Sequence, residues 1–474
     1  MISYTLEKGP GISLYESLCE NLRRDISLGV LKPGQKLPSK REFARQLGVS
    51  VITVERAFEQ LQAEGYVRSR PRQGFFVCEI PARLSVTLPY APASAGAPAF
   101  GGQQNDCPVR FDMVAPAMPQ GSFPAKVWAR LGRDALLDPA PWQQKSAPGQ
   151  GMPELREAIS SLVRTSRGVV CTPEQVVVGA GSQHLYQLCS LLFESGWTIG
   201  IEDPGYPRLA DTYRGLGYSV AGLPVDDQGM ILQGLANCGA QVVHVSPSHH
   251  FPSGAVMPVA RRMELLSWAA EKPGRLIVED DYDCEFRLSG RPIPSLQSID
   301  SAGSVIYMNT FSKTLAPWIR IAYMILPAGL VEEYRRRAGF VLSTVSALDQ
   351  VVLARFIRDG HYDRHVNRMR TRYRSVRDAL LGSLEAHVPS AQAMGALRVR
   401  HEDAGLFFLM EFEGANLTDV RETLKAKGVR VACLSEYGIA GLTCSDALVI
   451  NYSGLLPEQS NQVACLIWEA IQES

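Results

Sequence analysis

A net charge of either sign is missing from this chain. Its 48 Lys and Arg residues balance 48 Asp and Glu residues over 474 positions, so no overall field draws it toward nucleic acid. Long apolar runs are missing too, and none approaches the ~18 residues that a membrane span needs. The first ten residues lack the basic-then-apolar layout of a secretion signal. Ten cysteines are scattered without paired spacing, which suggests neither a zinc site nor a disulfide framework. The expectation is a cytosolic protein with no metal and no membrane contact. What the chain does have is length for more than one domain, and a hydrophobic content of 46% that suits an ordinary globular protein.

Composition divides the sequence in three. Residues 1–80 are dense in charge and read as short helices followed by a hairpin. Residues 81–107 are rich in Pro, Ala, Gly and Ser and read as a flexible linker. Residues 108–474 alternate apolar strands with helices, as an open α/β domain does.

In the first segment, Leu14, Leu18, Leu22 and Ile26 recur every fourth residue, the stripe of an amphipathic helix. A turn at Lys32-Pro33-Gly34 is read as ending it. Ser39 with Glu42 three residues later predicts a capping box opening a second helix, with Phe43, Ala44 and Leu47 inward. Gly48 breaks the chain, and Ser50 caps a third helix burying Val54, Ala57, Phe58 and Leu61. Two short helices joined by a Gly-Val-Ser turn form a helix-turn-helix pattern. Tyr66–Arg70 and 75–77 then read as two strands, with Arg68 and Arg70 on one face and Arg72 at the tip. This is a winged helix-turn-helix, its third helix suited to the major groove of double-stranded DNA and its wing to phosphates. A protein-interaction module with solvated arginines is the competing reading. With 12 basic against 9 acidic residues in this segment, any DNA affinity must come from a local patch.

The chemistry of the third segment gathers at strand ends. Leu276-Ile277-Val278 reads as a buried parallel strand running into Glu279, Asp280, Asp281 and Tyr282. Acid there sits where α/β folds place ligands. Asn309-Thr310-Phe311-Ser312-Lys313-Thr314 follows, with Arg320 seven residues beyond the lysine. A lysine amine forms a Schiff base with an aldehyde cofactor, and hydroxyls with a guanidinium suit that cofactor's phosphate. Val176-Val177-Val178-Gly179-Ala180-Gly181-Ser182-Gln183 reads as strand, glycine turn and helix start, whose free N–H groups favour an anion. Together these are what a pyridoxal 5'-phosphate site needs. Asp281 and Asp283 read as solvated strand-end acids.

Residues 10–80, with Leu37-Pro38-Ser39-Lys40-Arg41-Glu42 and Ala63-Glu64-Gly65-Tyr66-Val67, resemble the GntR family of winged-helix regulators. Joined to the C-terminal segment, the whole chain resembles the MocR subfamily, which fuses that DNA reader to a fold-type I aminotransferase-like domain. The resemblance implies that Ser182 and Gln183 hold the cofactor phosphate opposite Thr310, Ser312 and Arg320. It implies that Tyr206 stacks on the ring, Asp280 keeps its nitrogen protonated, Tyr282 donates to its phenolic oxygen, and Lys313 carries the Schiff base. It also implies a homodimer, a small-molecule effector and a carboxylate contact at Arg208.

There are departures from the family pattern. Val51 stands where many GntR proteins have arginine, so base reading is expected to lean on Arg41, Thr53 and Arg56. Phe251 stands where aminotransferases carry a ring-contacting asparagine. His249 and His250 are each open to a substituting or a structural role. Leu448 to Gly454 lacks the substrate-clamping arginine, and no Lys or Arg follows Arg430. The expectation is a pyridoxal phosphate-dependent regulator that senses the cofactor or an amino compound, with weak or no transaminase activity. The alternative is an active aminotransferase with an appended N-terminal module.

Overall fold

A computed structural model describes residues 4, 13–71, 73–79, 108–138, 141–144, 146–289, 293–387, 397–439, 441 and 447–474. They fall into two compact units divided at residues 103 and 104. The linker segment 81–107 and Arg72 lie outside the described residues.

The first unit holds α1 (Leu14–Ser27), α2 (Lys40–Leu47), α3 (Val51–Ala63), β1 (Val67–Arg70) and β2 (Gly74–Val77). Leu18, Leu22 and Ile26 from α1, Phe43 from α2, and Val54, Phe58 and Leu61 from α3 close one core. Gly48 ends α2 at φ 66°, the left-handed cap that glycine adopts without strain. Ser39 Oγ accepts the Glu42 N–H at 3.3 Å. No reciprocal Glu42 bond occurs among the described residues, so only half of the anticipated capping box forms. Ser50 Oγ caps α3 through the Thr53 N–H at 3.1 Å. β1 and β2 pair antiparallel, Arg68 opposite Phe76 and Arg70 opposite Gly74. The segment after the Lys32-Pro33-Gly34 turn does more than link α1 to α2. Lys36 bridges to Phe76 and the Leu37 N–H donates to the Phe75 carbonyl at 2.9 Å, which ties the helices to the wing.

The second unit is built on an eight-stranded sheet: β4 (Val176–Gly179), β5 (Thr198–Asp203), β6 (Ser219–Asp226), β7 (Gly229–Met230), β8 (Val242–Val245), β9 (Leu276–Asp280), β10 (Val305–Thr310) and β11 (Ala322–Ile325), β3 being the short Phe111–Asp112 strand. The spatial order is β4-β11-β10-β9-β8-β5-β6-β7. β6, β5, β8, β9 and β10 run parallel, and β11 runs against both β10 and β4. The carboxyl ends of β4, β5, β8, β9 and β10 therefore meet at one edge, where such sheets place ligands. β4, β8, β9, β10 and β11 are buried at every position, which accounts for their continuous apolar runs. A smaller antiparallel sheet follows in the order β12 (Leu397–Arg400), β13 (Phe407–Phe412), β16 (Leu448–Asn451), β15 (Ala432–Cys433). Two-residue β14 (Val429–Arg430) pairs with β3 instead.

No helix among the described residues is long and apolar enough to cross a membrane. Nor does any group of three His, Cys, Asp or Glu side chains among them suit a metal ion.

Candidate functional site

Lys313 sits one turn beyond the end of β10, in the short helix Phe311–Thr314. Thr310 caps that helix by accepting the Ser312 N–H at 3.1 Å. Its Nζ lies 5.8 Å from the centre of the Tyr282 ring. Burial holds its amine below the usual lysine range, while Asp283 and Asp280 oppose that shift. A desolvated amine is more often neutral and so nucleophilic at neutral pH.

Asp280, at the end of β9, is fixed from behind. Its Oδ2 accepts the Tyr186 hydroxyl at 2.6 Å and lies 3.7 Å from His244 Nε2. The other imidazole nitrogen, Nδ1, meets the Tyr213 hydroxyl at 2.9 Å. When Tyr213 donates to Nδ1, the remaining ring proton sits on Nε2 and faces the carboxylate. Burial, then Asp280, raises the Tyr186 hydroxyl well above its usual pKa, so it stays a donor. Sequence reading missed all three. Tyr186 lies four residues after Ser182 on one helical face, and His244 is the lone polar residue in the apolar run of β8; those were the available signals. Removing a hydrogen bond to a charged group costs about 1.5–3 kcal/mol. Tyr186→Phe is therefore expected to weaken cofactor retention by at least roughly ten-fold, read as the dissociation constant of pyridoxal phosphate from the reconstituted protein. Unchanged retention would make Tyr186 a packing residue.

Ser312 and Arg320 meet beside the start of the helix that Ser182 opens. Arg320 donates to Ser312 Oγ at 3.4 Å, and a Cβ on Gly181 would collide with its guanidinium. Gly181, at φ 88°, starts the helix Ser182–Ser190. Its missing side chain thus lets a guanidinium reach a helix N-terminus, a cradle with an anion's chemistry. Thr310 borders it, while Gln183 is exposed and reaches Thr212 Oγ1 at 3.5 Å. The aldehyde-reactive lysine, the buried acid and this cradle fit pyridoxal phosphate.

Two readings of the strand-end acids need correction, because both Asp281 and Asp283 are buried. Asp281 pairs with Arg167 at 2.7 Å and accepts the Tyr307 hydroxyl at 2.8 Å. Asp283 holds His249 Nδ1 at 2.9 Å. Tyr282 stands 3.4 Å from that same nitrogen. The neighbouring His250 turns away to Ser253 Oγ at 2.7 Å. Gly405 packs flush on the His249 ring, where a Cβ would collide.

Tyr206 is exposed at the start of Pro207–Gly215, its ring edge-on to Phe251 at 6.2 Å. Arg208 is exposed on the same helix. Asn451 ends β16 opposite Phe407. Its Oδ1 is taken by the Ser453 N–H at 2.9 Å and the Ser453 hydroxyl at 2.6 Å.

In the first unit, Arg41, Arg56, Arg68 and Arg70 are all exposed. Arg70 lies 4.8 Å from the Phe76 ring centre. Thr53 is half-buried, its hydroxyl 2.8 Å from Ser50 Oγ. Val51 and Ile52 project apolar side chains from the start of α3, 42% and 63% exposed.

Comparison with known proteins matches both units. Residues 14–77 fit the bacterial regulatory proteins of the gntR family, and residues 116–465 fit aminotransferase class I and II. The probable rhizopine catabolism regulatory protein MocR of Rhizobium meliloti is 32% identical over 469 residues, covering 96% of this chain and 92% of that protein. The chain belongs to the MocR-type regulators of the GntR family. Among other members, the uncharacterized HTH-type transcriptional regulator YdeL of Bacillus subtilis is 37% identical, covering 89% of each chain. The pyridoxine biosynthesis transcriptional regulator PdxR of Corynebacterium glutamicum is 30% identical, covering 90% of this MocR-type chain and 89% of that protein. The crystal structure of Pyrococcus horikoshii kynurenine aminotransferase aligns with a TM-score of 0.68 at 23% identity, over 78% of this chain and 92% of that one. That match establishes a fold-type I aminotransferase fold for the second unit.

Proposed function

We propose that this MocR-type protein is a cytoplasmic, homodimeric transcriptional regulator. It binds operator DNA through residues 1–80 and holds pyridoxal phosphate on Lys313 in residues 108–474, with 81–107 as the linker between them. One observation carries the reading. A GntR-type winged helix is joined to an aminotransferase fold that has Lys313, Asp280, Tyr282 and Arg320, yet Leu448 to Gly454, the segment matching that of the substrate-clamping arginine, holds no Lys or Arg.

Bound there, pyridoxal phosphate supplies an aldehyde that takes up primary amines. Ser182, Gln183, Thr310, Ser312 and Arg320 bind its phosphate, and Tyr206 covers its ring. Asp280, oriented by Tyr186 and His244, holds the proton on the ring nitrogen. Tyr282 donates to the ring oxygen, and Arg208 receives an acidic group on the effector. Without a bidentate clamp an amine can bind but is poorly positioned for turnover, which suits sensing. The competing aminotransferase reading draws on Lys313 and Asp280, and steady substrate-dependent turnover would favour it.

On DNA, Arg41, Thr53 and Arg56 read bases while Arg68, Arg70 and Arg72 contact phosphates. Removing two phosphate contacts with Arg68→Ala and Arg70→Ala is expected to lower the slope of log affinity against log salt by about 2, measured on DNA from upstream of the gene. An unchanged slope would contradict the wing assignment.

A further inference from the structure

The side chains around Lys313 also indicate what kind of amine the site accepts, an inference that rests on the amine-sensing reading above. Aromatic rings run without a break from the lysine to the smaller sheet. Lys313 Nζ faces Tyr282 at 5.8 Å, Tyr282 lies 6.3 Å from His249, and His249 lies 4.6 Å from Phe407. Phe251 is the hub beyond them. It meets Phe407 at 5.4 Å, Tyr437 at 5.0 Å and Tyr206 at 6.2 Å, with interplanar angles of 79°, 86° and 83°. These are edge-to-face contacts of the favourable kind. They leave ring surface uncovered: Tyr206 is 41% exposed, and Phe251 and Tyr437 are half-buried.

Several polar groups near these rings already have partners. His249 Nδ1 is held by Asp283, and the Asn451 amide oxygen by Ser453. Arg430, the last cation in the chain, pairs with Asp112 at 3.2 Å. With Arg208 receiving the carboxylate beside the reacting amine, a second charge at the far end would lose its water against Phe251 and Tyr437, an unfavourable exchange. An apolar body would instead replace water on those rings.

We propose that the effector is a primary amine with an aromatic or branched aliphatic body, an apolar amino acid included, and that Phe251 and Tyr437 select it over amines with a second charged end. Phe251 thus sets specificity at the position that departs from the aminotransferase asparagine.

The test titrates the full-length, cofactor-loaded protein with two sets of probes, phenethylamine and L-phenylalanine against 1,4-diaminobutane and L-glutamate. The readout is the visible absorbance of the bound cofactor. The apolar set is expected to act at concentrations about ten-fold lower or more, and Phe251→Asn to erase that preference. Should Phe251→Asn lose its cofactor or fold, Tyr437→Ala, at a half-buried ring, is expected to reduce the preference alone. Preference for the charged set, or a preference for the apolar set that neither substitution moves, overturns the selectivity. If neither set perturbs a cofactor that is demonstrably bound, the amine-sensing reading fails and the selectivity falls with it.

Discussion

Lys313→Ala is expected to abolish covalent retention of pyridoxal phosphate. In the parent protein, borohydride should fix the cofactor to the chain, and denaturing mass spectrometry should find the added mass on the peptide containing Lys313. In the variant no peptide should carry it. The expectation follows from position: Lys313 lies one turn past the end of β10, its amine lowered by burial and facing Tyr282 at 5.8 Å. The phosphate cradle of Gly181, Ser312 and Arg320 is independent of that side chain. The variant should therefore still bind the cofactor reversibly and more weakly. Fixation on another lysine would relocate the reactive centre.

The second large effect is on stability. Arg167 and Asp281 form an ion pair whose side chains are 4% and 0% exposed. Burial alone would lower the Arg167 pKa, but Asp281 together with Cys284, Tyr307 and Glu279 outweighs it, and the net shift is upward. Arg167 also donates to the Ile293 carbonyl and to Ser248 Oγ at 2.8 Å, joining the segment that carries His249 to the end of β9. Breaking such a pair leaves a buried charge alone and costs about 3–5 kcal/mol. Arg167→Met should accordingly lower the urea midpoint of the second unit sharply. All six tryptophans lie beyond residue 103, so their fluorescence reports on that unit alone. Arg167→Met combined with Asp281→Asn should recover part of the loss, since the unpaired charge is then gone. A midpoint unmoved by the single substitution would mean that the pair does not hold this edge of the sheet together.

Much of the fold could be read from periodicity. The fourfold spacing of Leu14, Leu18, Leu22 and Ile26, the Gly48 break and the Ser50 cap correspond to α1, α2 and α3 within a few residues. The apolar run ending in Asp280 is a parallel strand of the large sheet. The site was legible where one segment carries several of its groups, as around Lys313. It was not legible where partners meet across the fold. Asp281 looked solvated because Arg167 is 114 residues away, and Asp283 because His249 is 34 residues away. Tyr186 reaches Asp280 across 94 residues. Such pairings come from the order of strands in the sheet, which no local spacing encodes. Phe251 was visible as a departure from the aminotransferase pattern, but its three ring partners come from separate segments.

The central claim is that one chain couples a DNA reader to a pyridoxal phosphate site. The most direct test is binding of the purified full-length protein to DNA from just upstream of its own gene, at fixed salt, with and without pyridoxal phosphate. The account predicts sequence-selective binding whose midpoint shifts with the cofactor, and loss of that shift in Lys313→Ala. Selective binding that is identical with and without cofactor, in both proteins, would contradict it.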